Sequence, residues 1–370
     1  MAPADPDSTV PGAPGLHARS ADTVDDPAVL DLDALEERAR GLLPAAVVDY
    51  YAGGAEGEIT LTEATAAWRS WRLRPRVLRG SAPARLATSL LGCEVATPIG
   101  VAPWAYQSLA HPDGERGSAR GAAAVGALMT VSTSASTPLA EVAAAEPQAP
   151  KWFQLYRRHS PAFTDDLARR AGQAGYRALV LTVDLPALGR RLRDVANRMA
   201  LPTDLSPGNA PPSGAPPAAV PEWTFDDIGR FAELSGLPVV VKGVLRGDDA
   251  ALCVQAGASA VWVSTHGGRQ ADPVVSTAAA LPEVVDAVGV DVEVYADGGI
   301  RSGSDVLTAL ALGATAVFVG RPAVWGLATG GADGVSRVLA GLSAQLAHTM
   351  VLCGLSDVRS VPRDTVTPAR

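Results

Sequence analysis

Residues Gly257-Ala-Ser-Ala-Val-Trp-Val-Ser-Thr-His-Gly-Gly-Arg269 and Gly313-Ala-Thr-Ala-Val-Phe-Val-Gly-Arg321 share one plan. A glycine stands three residues before a short apolar run, and polar residues follow the run at once. Glycine after a helix supplies the left-handed C-terminal cap, so each stretch reads as helix end, strand, then functional loop. The same join occurs at Gly175-Tyr-Arg-Ala178, and Gly126-Ala-Leu-Met129 is similar.

Working outward, apolar runs recur at 99–102, 129–132, 152–155, 178–183, 239–241, 260–263, 292–295 and 316–319. Ala/Leu-rich helical stretches lie between them. Strand starts fall about 20–30 residues apart, except for one gap of about 60 after the fourth. Eight such units predict an α/β fold, a (β/α)8 TIM barrel. A doubly wound sheet is the alternative, but it rarely needs eight equal units. An N-terminal helical segment precedes the barrel: Leu30, Leu32, Leu35, Ala39 and Leu42 recur near helical spacing. A second short helix follows Pro44, carries Asp49, Tyr50 and Tyr51, and stops at Gly53-Gly54. Residues 1–27 are small, polar and Pro-rich, which predicts a disordered tail. The barrel domain is expected over 28–358, with 359–370 as a C-terminal tail. The long gap, 199–222, reads as a lid-like insertion after strand 4, the plainer alternative being a floppy insertion.

A chain of 370 residues, 47% of them hydrophobic, can build a large core, which excludes wholesale disorder. Lys+Arg number 31 against Asp+Glu 39, a net charge of -8. That balance argues against nucleic acid or an anionic membrane as the main partner. Cys93, Cys253 and Cys353 are far apart and odd in number, so neither a disulfide framework nor a metal site is expected, and a cytoplasmic setting is. The N-terminus lacks the features of a signal peptide. No apolar run reaches the ~18 residues of a membrane span.

A barrel places function at the C-terminal ends of its strands. In order, these ends read Ala102-Pro103-Trp104-Ala105, Ser132-Thr133-Ser134, Gln154-Leu155-Tyr156, Thr182-Val183-Asp184 with Arg190-Arg191 beyond, Lys242-Gly243, Ser264-Thr265-His266-Gly267-Gly268-Arg269, Asp297-Gly298-Gly299-Ile300-Arg301 and Gly320-Arg321. Nearly every strand delivers a polar group to one mouth. Glycines after strands 7 and 8 let backbone N–H groups approach a phosphate, and Arg301 and Arg321 add charge-assisted bonds. The alternative is that these glycines only make tight turns. Lys242 ends an apolar strand, where an unpaired ammonium is costly, so it is expected to meet an anion or a polar ligand. Gln154, Thr182 and Ser264 suit the edge of a planar heterocycle. Of the five histidines, His266 alone sits directly beyond a strand among polar groups, where it suits general-base work. Asp184 is placed to orient it. Arg269 and Arg191 offer the planar fork that matches a carboxylate. Tyr50 and Tyr156 add phenolic donors.

These motifs resemble the FMN-dependent α-hydroxy-acid oxidases and dehydrogenases, which include glycolate oxidase, lactate oxidase and mandelate dehydrogenase. The similarity runs from about residue 28 to about 355 and includes Asp49-Tyr50-Tyr51 before Gly54-Ala55, Gly189-Arg190-Arg191, and Gly320-Arg321-Pro322. The resemblance implies FMN at the barrel mouth. Its phosphate would lie on Gly299, Arg301, Gly320 and Arg321, and its ribityl chain near Asp297 and Gly298. Its ring would meet Pro103, Trp104, Ala105, Ser132, Gln154, Thr182, Lys242 and Ser264. Arg269, Tyr50 and Arg191 would hold the substrate carboxylate, Tyr156 would touch its hydroxyl, and His266 with Asp184 would take the hydroxyl proton.

Three residues depart from the family pattern: Thr265 stands where Asn is usual, Trp104 where a small or hydroxylated residue is common, and Ser134 where glycolate oxidase closes its pocket with tryptophan. The small Ser134 implies a bulky or aryl, mandelate-like (S)-2-hydroxy acid. On that resemblance the product would be the 2-oxo acid, and O2 (giving H2O2) or another carrier would accept the electrons. Two alternatives are a tailoring flavoenzyme acting on a larger metabolite and a flavin-binding protein without turnover. The resemblance also implies a homo-oligomer, since soluble relatives are often tetramers.

Overall fold

The computed structural model describes residues 30–80, 82–203, 205, 207–211 and 222–369. The tail expected at 1–27 lies outside the described residues, as does much of the 199–222 insertion. Eight strands form the centre: β1 (Ile99–Val101), β2 (Met129–Ser132), β3 (Lys151–Leu155), β4 (Leu179–Thr182), β5 (Val239–Val244), β6 (Ala260–Val263), β7 (Glu293–Asp297) and β8 (Ala316–Val319). They pair in chain order and close into a barrel, every pair parallel. Parallel neighbours need long crossovers, and helices supply them. The fold is the expected (β/α)8 barrel. β7 and β5 run further than their apolar residues suggest. Their polar ends stay in the ladder, with Asp297 opposite Phe318 and Lys242 opposite both Thr182 and Trp262.

Alternation along the strands decides what fills the barrel. In β6, Ala260 and Trp262 join the inner cluster, whereas Val261 and Val263 join the cluster shared with the outer helices. β8 does the same with Ala316 and Phe318 inside and Val317 and Val319 outside. The middle of the barrel is thus an aromatic plug of Trp152, Trp262, Tyr295 and Phe318, all fully buried. The Trp262 and Phe318 rings lie 4.0 Å apart between centroids. An antiparallel hairpin of strands Thr88–Leu90 and Cys93–Val95 adds Leu90, Cys93 and Val95 to this cluster. The Leu91 amide donates to Glu293 Oε1 (3.0 Å) at the start of β7, so the hairpin closes the N-terminal end.

The N-terminal helices are Leu32–Leu42 and Ala45–Ala52. Asp31 caps the first by accepting from the amides of Asp33 and Ala34. The second buries Val47, Val48, Tyr51 and Ala52. After β7, Ser302 caps helix Gly303–Ala311, and Val306, Leu307 and Leu310 lie on its buried side. Among the described residues, no helix is long and apolar enough to cross a membrane.

One boundary needs correction. The segment after 358 is not a loose tail. Strand Val366–Pro368 pairs antiparallel with strand Trp71–Leu73. The Ala369 amide donates to the Ser70 carbonyl (2.6 Å), and Arg74 N–H donates to the Thr365 carbonyl (2.8 Å). Val366 is buried. A strand of three residues carries too little periodicity to be read from sequence, and its partner lies almost three hundred residues away.

Candidate active site

The alternation that builds the aromatic plug also builds the site. One pleat above Trp152, Val180, Val240, Trp262 and Tyr295 come Gln154, Thr182, Lys242, Ser264 and Asp297, which share their inward parity. An apolar floor and a polar mouth therefore follow from a single register. Lys242 is only 4% exposed. Its ammonium lies 3.1 Å from Asp297 Oδ2 and donates to Ser264 Oγ at 2.7 Å. The Ser264 hydroxyl donates in turn to Asp297 Oδ1 at 2.7 Å. Gln154 Nε2 donates to Thr182 Oγ1 (3.0 Å), and Gln154 Oε1 accepts from Ser132 Oγ (3.2 Å). Gly243, at φ 107° in the β5 irregularity, is needed here. A Cβ on it would meet Asp184 Cβ at 2.6 Å.

His266 follows β6 in a short turn at φ 55°, a conformation that costs a residue with a Cβ about 1–2 kcal/mol. Its amide donates to Ser264 Oγ, which fixes the turn to the polar layer. The ring has two partners: Nδ1 lies 2.9 Å from Asp184 Oδ1, and Nε2 lies 3.2 Å from the Tyr156 hydroxyl. Burial works to raise the Asp184 carboxyl, but the adjacent His266 ring and the Lys242 ammonium outweigh it and hold the group below the ordinary carboxylate value. Burial pushes the Tyr156 phenol upward, and Asp184 adds to that. Gln270 Nε2 donates to the carbonyls of Asp184 (2.8 Å) and Ala187 (3.0 Å), which pins the loop that carries the acid.

Positive charge is concentrated on the other side of the cavity. Arg321 donates to the carbonyls of Tyr51 (3.0 Å), Gly267 (3.0 Å) and Gly53 (2.9 Å). Arg269 donates to those of Tyr50 (2.6 Å) and Gly53 (2.9 Å) and lies over the Tyr50 ring. The end of helix Ala45–Ala52 is therefore docked by arginines from two barrel loops. Carbonyls satisfy the N–H groups but do not neutralise the charge. Burial, then Arg269 and Arg301, pull Arg321 down to about 9. Burial, then Arg191, pull Arg269 down to about 10. Such depressed guanidinium values mark a site built to hold anions.

A cavity of about 500 Å³ joins the two sides, within the ~300–1,000 Å³ typical of small-molecule sites. Its walls include Tyr50, Pro103, Trp104, Ala105, Ser132, Ser134, Tyr156, Thr182, Arg191, Lys242, His266, Arg269, Asp297, Gly298, Gly299, Arg301, Gly320 and Arg321. Asp184, Gln154 and Ser264 stand behind this wall, bonded to residues on it. His111, His159 and His348 do not line it.

The Trp104 indole N–H is buried with no hydrogen-bond partner among the described residues. Sequence reasoning missed several wall residues. Leu185, Leu188, Met199 and Leu201 come from the segment after β4, whose path no motif announces. Arg158, two residues past the β3 motif, donates to Ser134 Oγ at 2.6 Å and lies over the Tyr156 ring.

These residues fit FMN. Gly320 has open space where a Cβ would stand, and Gly299 packs so closely on the Ala64 carbonyl that a Cβ there would come within 2.2 Å of its oxygen. Glycine backbone beside two charge-starved arginines is the donor set for a phosphate dianion. The Ser132, Gln154, Thr182 and Lys242 layer offers donors and acceptors in one plane of the barrel, suited to a heterocycle.

Comparison with known proteins agrees. A family model described as FMN-dependent dehydrogenase matches residues 39–368. Human 2-hydroxyacid oxidase 1 is 42% identical over 358 residues, covering 92% of this chain and 97% of that protein. An L-lactate oxidase from Nostoc is 42% identical, covering 90% and 96%. A crystal structure of mandelate oxidase with (S)-2-phenylpropionate superposes with a TM-score of 0.84 at 41% identity, covering 91% and 97%. Another mandelate oxidase structure, at 42% identity and TM-score 0.83, covering 89% of this chain and 97% of that one, holds a C4a-OH-FMN adduct. The chain belongs to the FMN-dependent dehydrogenase family and is an FMN-dependent oxidoreductase.

Proposed function

We propose that this protein oxidises an (S)-2-hydroxy acid with a bulky or aryl side chain, of the mandelate type, to the 2-oxo acid. The substrate loses two electrons and two protons. With dioxygen as acceptor they appear as hydrogen peroxide; another carrier can take their place. FMN, when bound, supplies the two-electron acceptor. The observation that carries the reading is the ring pair beside the anion seat. His266 Nε2 faces the Tyr156 hydroxyl with Asp184 at its back, while Tyr50 lies against the Arg269 guanidinium.

In this reading Arg269, Arg191 and Tyr50 grip the substrate carboxylate. That fixes the C2 hydroxyl near Tyr156 and His266. His266 Nε2 takes the hydroxyl proton, and Asp184 stabilises the imidazolium that forms. Gly299, Arg301, Gly320 and Arg321 hold the FMN phosphate, with Asp297 and Gly298 along the ribityl chain. Pro103, Trp104, Ala105, Ser132, Gln154, Thr182, Lys242 and Ser264 surround the ring. Ser134 leaves room for a large side chain. Relatives named for 2-hydroxy acids and structural neighbours named for mandelate support the substrate class.

Anaerobic mixing with a panel of 2-hydroxy acids tests this. Mandelate-like acids should bleach the oxidised flavin, and glycolate should do so far more slowly. Faster bleaching by glycolate would overturn the substrate class. Bleaching by none, with FMN bound, would overturn the activity.

The arginine cluster sets a second expectation. Filling the phosphate seat offsets the cost of burying Arg301 and Arg321. At a free FMN concentration 100 times its Kd, linkage alone adds about 2.7 kcal/mol of unfolding free energy. Inorganic phosphate should recover part of that gain in the apoprotein. Denaturant unfolding with and without each ligand measures it. No stabilisation by phosphate would argue against the seat.

A further inference from the structure

We propose that Arg158 reads the far end of the substrate, and that the preferred 2-hydroxy acid carries a second carboxylate there. The inference rests on the 2-hydroxy acid reading and deepens it.

Arg158 lines the same cavity as His266 and Arg269. Its Nη2 donates to Ser134 Oγ at 2.6 Å, and its guanidinium carbon lies 5.5 Å from the centre of the Tyr156 ring. It therefore stands at the edge of the space that a small Ser134 opens, over the ring of the tyrosine assigned to the reacting hydroxyl. The neighbouring Arg157 points elsewhere and is paired with Asp227 on helix Asp226–Ser235. Arg158 has no such partner: among the described residues, its side chain bonds only the neutral Ser134 hydroxyl.

Charge accounting then singles it out. Lys242 is balanced by Asp297. Arg301 and Arg321 face the phosphate seat. Arg191 and Arg269 have Asp194 near them, and the substrate C1 carboxylate joins that group. Arg158 is left over. Arg158 is exposed, so water meets its other donors until a ligand replaces that water; held by a serine at the open side of the cavity, the guanidinium matches a carboxylate bidentately. A hydrocarbon side chain offers that cation at most the face of a ring, whereas a carboxylate pairs with its charge. The bond to Ser134 and the packing on Tyr156 hold the fork in place, so little rotamer freedom is lost on binding.

The test compares 4-carboxymandelate with mandelate on the FMN-loaded enzyme. The expected kcat/KM ratio favours the diacid by about 3- to 10-fold, the size of a charge-assisted contact that is open to water on one side. Arg158→Met should abolish that preference, and Arg158→Lys should restore part of it, since it returns the charge without the fork. A wild-type preference for mandelate would overturn the proposal. So would an Arg158→Met variant that lowers both substrates by one common factor, because that is the mark of a structural role.

Binding of the two 2-oxo acids, 4-carboxybenzoylformate and benzoylformate, is read separately from the flavin spectral shift. If neither hydroxy acid reduces the flavin but the diacid product binds more tightly, and Arg158→Met removes the difference, the second-carboxylate site stands and the oxidase reading falls. Equal binding of the two overturns the site.

Discussion

His266→Asn should slow anaerobic flavin reduction by about 10²–10⁴-fold, the usual worth of a positioned general base, while the protein still binds FMN. Nε2 is the one imidazole nitrogen that faces the cavity side, 3.2 Å from the Tyr156 hydroxyl, because Asp184 occupies Nδ1 at 2.9 Å. Asparagine keeps a polar group in the turn and the amide bond to Ser264, but it cannot accept and carry the proton.

Asp184→Asn should cost less, about 10²-fold, and should do so across the whole assay range. The carboxyl titrates below its ordinary value, so it is already anionic throughout neutral pH. The linkage sign agrees. A depressed carboxyl contributes stability above its unfolded value, and that stability is lost only as pH falls through the lower folded value. Stopped-flow reduction across pH separates the two variants. A wild-type rate in His266→Asn would remove it from the chemistry.

The legibility of this molecule follows from where its information is local. The barrel was readable because eight apolar runs recur at a regular spacing, four of them joined to a preceding glycine, with a polar loop close behind, as at Gly257 to Arg269. The polar mouth was readable for the same reason: Lys242, Ser264 and Asp297 are the next inward residues after Val240, Trp262 and Tyr295. The resemblance added the roles.

What stayed hidden depends on distance along the chain. Arg158 meets Ser134 only because β2 and β3 are neighbours, and no spacing connects the two residues. Arg269 and Arg321 look like pure ligand-binding groups in sequence. In the fold they also hold the carbonyls of Tyr50, Tyr51 and Gly53, more than two hundred residues away. The closing strand at Val366–Pro368 was invisible because three residues have no period.

Arg269→Met should lower kcat/KM for the 2-hydroxy acid by about 10²–10³-fold, with much of the loss in KM. Truncating one partner of a desolvated, hydrogen-bonded charge pair costs roughly 2–5 kcal/mol, and Arg269 is half-buried with its guanidinium bonded to the Tyr50 and Gly53 carbonyls. Its depressed value of about 10 is the signature to follow, and burial and then Arg191 cause it. The folded state penalises the protonated form at all pH values below that point, and the penalty is relieved as pH rises through about 10 and the proton leaves. A bound carboxylate relieves it at neutral pH instead, which is why the pocket selects anions. The wild-type kcat/KM should therefore fall as pH rises through about 10, because that ratio reports the free enzyme. The saturated rate should hold to higher pH, since the bound anion keeps the cation charged.

Arg269→Lys tests the fork. An ammonium keeps the charge but cannot span the Tyr50 and Gly53 carbonyls and the substrate together, so its kcat/KM should fall between the two. Loss of the carbonyl bonds also loosens the end of helix Ala45–Ala52, and a fall in activity alone would not separate the causes. Guanidinium ion added to the Arg269→Met enzyme does separate them. Recovery of kcat/KM at concentrations well below those that unfold the protein places the defect at the carboxylate seat, and no recovery places it in the docking of the helix.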